Sequence, residues 1–118
     1  ATYWHALLSG HIASPRQVEL MLDGWSRMDP IRPIGLNEDA HLEGMELYYG
    51  RGVMLIRPPT GEGWWVGHTG RIRGFSSMVA WSTSLDAVIA VTLQGSSAAP
   101  IAFESLHDAL NTAKLESR

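Results

Sequence analysis

Apolar and polar positions along the 118-residue chain follow two periods, and the change falls near residue 48. Before it the spacing is helical. Tyr3, Trp4, Leu7 and Leu8 share one face of a helix over residues 3–9, which Gly10 stops. Ser14-Pro15-Arg16-Gln17 opens a second helix over residues 14–23, which Gly24 stops. There Ser14 caps, Pro15 suits the first turn, and Gln17 reaches back to the backbone N–H of the cap. Residues 24–47 hold Asp29-Pro30, Arg32-Pro33, Gly35 and Gly44, and read as an irregular connection with at most short helical turns.

From Tyr48 onward the period is close to two. Tyr48 to Arg57 is β-rich, and Pro58-Pro59 ends it. Thr60 to Gly63 is turn chemistry, Trp64 to Thr69 a short strand, and Gly70 to Gly74 a connection. Phe75 to Trp81 alternates, with Phe75, Ser77, Val79 and Trp81 on one face and Ser76, Met78 and Ala80 on the other. Ser82 to Leu85 turns the chain into a buried-type strand over Asp86 to Gln94. Pro100 opens a last helix. Its expected apolar face is Ala102, Phe103, Leu106, Ala109, Leu110 and Ala113, and its polar side Glu104, His107, Asp108 and Asn111. Sequential strands with short links imply an antiparallel meander of three to four strands. The fold class is therefore α+β, with helices flanking the meander and the C-terminal helix packed on the sheet. Residues 1–47 form a helical and loop segment, and 48–118 the sheet with its helix, together one structural unit.

Composition narrows the function classes. With 45% apolar and 18% charged residues the chain is not a disordered one. A formal net charge of -3 makes no electrostatic case for nucleic acid or an anionic membrane. The absence of cysteine excludes disulfides, thiolate metal sites and a cysteine nucleophile. No apolar run approaches the ~18–20 residues that cross a bilayer. Residues 1–5 show no basic region followed by an apolar core, so no signal peptide is expected there. Starting at Ala1, inside what reads as structure, the chain reads as a fragment or a processed product.

Complete catalytic sets are missing: there is no G-x-S-x-G, S-x-x-K, H-E-x-x-H, P-loop or G-x-G-x-x-G. His5, His11, His41, His68 and His107 show no ligand spacing, so no metal and no cofactor is expected. Trp64-Trp65 reads as core or interface packing, and Glu38, Asp39, Glu43 and Glu46 as a solvated acidic loop. The informative stretch is Gly67-His68-Thr69-Gly70-Arg71-Ile72-Arg73-Gly74-Phe75-Ser76-Ser77. A Thr hydroxyl and a His ring projecting from a strand edge can hold a carboxylate. Gly70 permits close backbone approach and leaves the Arg71 N–H to aim at an incoming oxyanion.

In this context the chain resembles the serine β-lactamase-like hydrolases, which include class C β-lactamases, D-alanyl-D-alanine carboxypeptidases and related esterases. Tyr49-Gly50-Arg51-Gly52-Val53 resembles their Y-G-x-G-hydrophobic strand, and His68-Thr69-Gly70 their K-T-G or H-T-G motif. Gly74-Phe75-Ser76-Ser77 matches the G-F-S-S opening the next strand, and Val88 to Gln94 the last strand, with Gln94 in place of the usual Asn. The helix from Pro100 and the Leu7-Leu8-Ser9-Gly10 to Met21 segment fit the same order. The resemblance implies a β-lactamase/transpeptidase-like fold. It implies Arg71 N–H as an oxyanion donor, worth about 3–4 kcal/mol in such sites. It also implies His68, Thr69 and Gly70 as the substrate-binding wall. The substrate would be an acyl-D-alanine peptide, a β-lactam or an ester, and the location the periplasm or cell surface. The S-x-x-K and Y-x-N motifs of the family are absent, and Lys114 is the only lysine. The isolated chain is thus expected to be inert, to need the missing N-terminal region, and to form a homo-oligomer through open strand edges. A non-catalytic binding or assembly module on the same scaffold is the alternative.

Overall fold

The computed structural model describes residues 1–23, 26–28, 45–95 and 99–117. Residues 29–44, with Glu38, Asp39, His41 and Glu43, and the expected stop at Gly24 lie outside them. Two short helices, α1 (Thr2–Leu8) and α2 (Pro15–Met21), precede six strands and one long helix. The strands are β1 (Ser26–Met28), β2 (Glu46–Tyr49), β3 (Met54–Arg57), β4 (Trp65–Ile72), β5 (Phe75–Ser82) and β6 (Ala87–Gln94). The helix α3 spans Ala99–Glu116. All six strands pair with their sequence neighbours in one antiparallel sheet, in the order β1-β2-β3-β4-β5-β6.

The α+β class and the antiparallel meander hold, but the meander is larger than three to four strands. Two differences add strands, and a third lengthens one. Part of the expected 24–47 connection is strand: β1 pairs Ser26 with Tyr49, and β2 starts at Glu46. The sheet therefore draws on residues assigned above to the N-terminal segment. The β-rich stretch 48–57 is a hairpin, because Gly52 takes φ +77° and Gly50 N–H bonds Val53 C=O at 2.9 Å. Gly70 to Ile72 belongs to β4 rather than to a connection. The link is only Arg73-Gly74, with Gly74 at φ +82° and Ile72 opposite Phe75. A two-residue turn suffices once the second residue accepts a positive φ.

Alternation sends one face of the sheet to α3. Leu47, Met54, Ile56, Trp65, Met78, Ala80, Ile89 and Val91 are buried with Phe103 of α3. In β5 it is the Ser76, Met78 and Ala80 set that is buried, and Ser82 continues it. The opposite face carries α1, whose Trp4 indole N–H donates to Val66 C=O at 2.8 Å. α2 starts as its sequence predicts: Gln17 N–H donates to Ser14 Oγ at 3.2 Å and Ser14 N–H to Gln17 Oε1 at 2.9 Å.

The orientation of α3 corrects the expected apolar face. Phe103 and His107 are buried, whereas Leu106 and Leu110 are each 46% exposed. A helical pattern alone cannot separate these two flanks, since both are apolar apart from His107. The Trp65 ring decides: it packs 4.9 Å from the Phe103 ring and 5.3 Å from the His107 ring, centroid to centroid.

Candidate functional site

The site begins with the ladder of β4. Thr83 N–H donates to Trp64 C=O at 2.9 Å, so this pair exchanges hydrogen bonds across β4 and β5. Antiparallel pairing alternates. Val66, His68, Gly70 and Ile72 therefore direct their backbone groups to β5, and Trp65, Gly67, Thr69 and Arg71 direct theirs to the β3 side. β3 reaches only as far as Gly67, opposite Met54. Beyond that point the chain turns back through Gly50–Val53. The Thr69 and Arg71 amides thus point to a side that β3 does not cover. Among the described residues the rim at 68–71 is paired along one side only.

The side chains on this rim are more occupied than the sequence suggests. His68 Nδ1 contacts Thr69 C=O, and His68 Nε2 lies 3.2 Å from the Tyr49 hydroxyl. A carbonyl only accepts, so Nδ1 carries the proton and Nε2 accepts from Tyr49 O–H. Both ring nitrogens are engaged. The two rings meet edge-on with centroids 5.7 Å apart. Thr69 O–H donates to Met54 Sδ at 3.4 Å. A thioether is a weak acceptor, so a carboxylate would readily compete for this hydroxyl. Gly70 is exposed, and a Cβ there would meet only Ser77 Oγ, at 2.8 Å. Arg71, Ile72, Arg73 and Phe75 are exposed, and an open depression of about 420 Å³ runs past Gly70, Ile72, Phe75 and Thr92.

The structure therefore brings His68, Thr69, Gly70 and Arg71 together on one strand edge and adds Tyr49, which sequence reading did not connect to His68. The register brings them near, since Tyr49 opposes Met54 and Met54 opposes Gly67, next to His68; the rings then meet at the strand edge past the end of β3. The Gly50-Arg51-Gly52 turn then sets Tyr49 beside the free end of β4. Arg51 leaves this site altogether, donating to Leu20 C=O of α2 at 3.2 Å.

A second polar cluster lies under α3. Ser82 Oγ is 2.7 Å from His107 Nε2, and His107 Nδ1 is 3.9 Å from Asp108 Oδ1. The order Ser, His, Asp suggests nucleophilic catalysis, but Ser82 is 0% exposed and no substrate can reach its hydroxyl. Ser82 Oγ also takes a hydrogen bond from Leu85 N–H at 3.3 Å. The cluster locks the β5–β6 turn to the helix. Burial holds the His107 pKa below its ordinary 6.5, and Asp108 opposes this only in part. Glu104, one turn earlier, is raised by burial and by Asp108.

These shifts set a pH dependence. The unfolded chain takes up the His107 proton at higher pH than the folded one. Stability is therefore full above about pH 6.5 and falls as the pH drops below it. Glu104 acts with the opposite sign: its penalty disappears on acidification, at the lower pH of a carboxyl group. The urea midpoint is expected to fall between pH 7 and pH 5.5 in the native chain, and His107→Gln is expected to flatten that slope. An unchanged slope in the variant would assign it to other groups.

Among the described residues, no group of three or more His, Asp or Glu side chains is placed to hold a metal ion. No helix there is long and apolar enough to cross a membrane. No protein-family model, curated protein or solved structure matches the chain.

Proposed function

We propose that this chain is the C-terminal part of a serine acyl-transfer hydrolase of the β-lactamase or D-alanyl-D-alanine carboxypeptidase type. In this reading it supplies the wall that receives the oxyanion and the substrate carboxylate, and the nucleophile comes from outside the chain. The observation that carries the reading is the Arg71 amide, directed to the side of β4 that no described strand covers, beside an exposed Gly70. An N–H fixed by a sheet costs no reorganisation when charge develops opposite it. The Thr69 hydroxyl, held only by a sulfur, is available to a carboxylate. His68 Nε2 is turned to the Tyr49 hydroxyl, so that ring faces Tyr49 and not the open end of the rim. The closed His68–Tyr49 contact favours, as a second reading, a non-catalytic module that binds acyl peptides on the same edge.

Acetyl-D-alanyl-D-alanine titrated into the ¹⁵N-labelled chain tests the site. The Thr69 and Arg71 amide resonances are expected to shift saturably at millimolar ligand. Arg71→Pro removes that N–H without touching the ladder to β5, so it is expected to keep the fold and lose the response. An equal response in Arg71→Pro, or shifts confined to other residues, would overturn the assignment. The same sample incubated with benzylpenicillin is expected to keep its mass. A stoichiometric adduct on a serine of this chain would place the nucleophile here and refute the division of labour.

A further inference from the structure

The sheet has a second uncovered edge, and its chemistry differs from that of β4. Among the described residues β6 pairs with β5 alone. Its eight residues, Ala87–Gln94, contain no charge, no proline and no glycine, and the ladder to β5 runs through all of them without a bulge. The strand itself thus carries no charge, proline or bulge of the kind that guards an edge. Gly95 N–H bonds Gly74 C=O at 2.7 Å, which fixes the alternation on β6. Ala87, Ile89, Val91 and Leu93 bond β5, so Val88, Ala90, Thr92 and Gln94 turn their N–H and C=O groups outward.

α3 extends this surface. Its Glu104, His107 and Asn111 flank borders Trp65 and Pro58 around a cavity of about 210 Å³, on the β3–β4 side. α3 itself lies over β5 and β6. The opposite flank, with Ala102, Leu106, Leu110 and Ala113 at helical spacing, therefore overhangs the free side of β6. Leu106 and Leu110 on this flank are each 46% exposed.

We infer that β6 is the interface with a second copy of this chain, paired antiparallel across a twofold axis. The outward residues complement themselves in the register Val88 to Gln94 and Ala90 to Thr92, in which every outward N–H and C=O finds a partner. The same operation brings the two Leu106–Leu110 flanks together on one face of a continuous sheet, which joins an apolar core to the ladder. Charge supports the orientation. Asp86 is exposed at the start of β6, and the exposed Arg73 sits in the turn bonded to its far end. Antiparallel pairing sets Asp86 of one copy at the end where the other carries Arg73. A parallel arrangement would place like charges together instead.

Sedimentation of the native chain over a range of concentrations is expected to show the mass rise twofold to that of a dimer. Ala90→Pro deletes an outward N–H that the protomer does not use, and Leu106→Glu places a charge in the joined flank. Both are expected to return the mass to that of one chain with an unchanged circular dichroism spectrum. A native chain that stays monomeric at its solubility limit would overturn the proposal, as would two folded variants that dimerise like the native chain. Amide exchange decides independently if Ala90→Pro does not fold. Val88, Ala90, Thr92 and Gln94 are expected to slow at least tenfold on concentrating the native chain, while Ile89 and Val91 do not change. Equal rates at every concentration would refute the interface.

Discussion

Gly67→Ala is expected to prevent the sheet from closing in its native register. A Cβ at Gly67 would collide with Val79 C=O and lie 2.6 Å from Ala80 Cα, both on β5. Backbone atoms in the middle of a paired strand cannot turn aside as a side chain can. The two strands would have to part where β4 is also paired with β3. We expect a loss of about 3 kcal/mol or more, the upper range for overpacking. That is a large share of the about 5–15 kcal/mol that holds a domain together. Gly70→Ala is the control. Its Cβ meets only the Ser77 hydroxyl, which rotates away, so the loss is expected to stay below about 1 kcal/mol. Urea unfolding of the two variants checks the contrast. If Gly67→Ala were as stable as Gly70→Ala, the pairing of β4 with β5 would have to be redrawn. The result matters for the site, because this register decides which way the Arg71 amide points.

Phe103→Ala is the second large effect. Phe103 is fully buried, joins α3 to Trp65, and stacks with the His107 ring of the same helix, 6.4 Å away. Truncation leaves a cavity between helix and sheet and is expected to cost about 3–5 kcal/mol. Leu110→Ala, at similar helical depth but 46% exposed, is expected to cost far less. Thermal unfolding at a concentration that keeps the chain monomeric measures both. Similar losses at the two positions would mean that α3 is rotated relative to the face described here. The Trp65 indole N–H, buried without a partner among the described residues, adds to the importance of this contact. The apolar packing around Trp65 must also offset the desolvation of that donor.

Local chemistry made much of this legible in the chain. The start of α2 follows from Ser14, Pro15 and Gln17, because a capping box needs only four consecutive residues. The two faces of β5 follow from strict alternation over Phe75 to Trp81. The turn between β5 and β6 falls on Thr83 to Asp86, one residue later than the Ser82 to Leu85 turn expected, because Ser82 continues the alternation of β5 and Asp86 takes φ +50° at the end of the turn. The stretch from His68 to Arg71 stood out as chemically distinctive from its residue types and glycine spacing alone.

What the chain could not disclose depends on groups far apart in sequence. Period and propensity are short-ranged, whereas pairing register joins residues through strands laid side by side. The extension of β4 to Ile72, the meeting of Tyr49 with His68, and the exposure of the Arg71 amide past the end of β3 all come from register. The same holds for α3: its pattern placed Phe103 with Leu106 and Leu110 on one apolar face and His107 on the polar side, whereas packing on Trp65, thirty-eight residues before Phe103, buries Phe103 and His107 together. Residue types thus set which elements form and which groups can do chemistry. Which of those groups remain free to do it was settled by the packing of distant strands, since a backbone amide is available only where no neighbour has already claimed it.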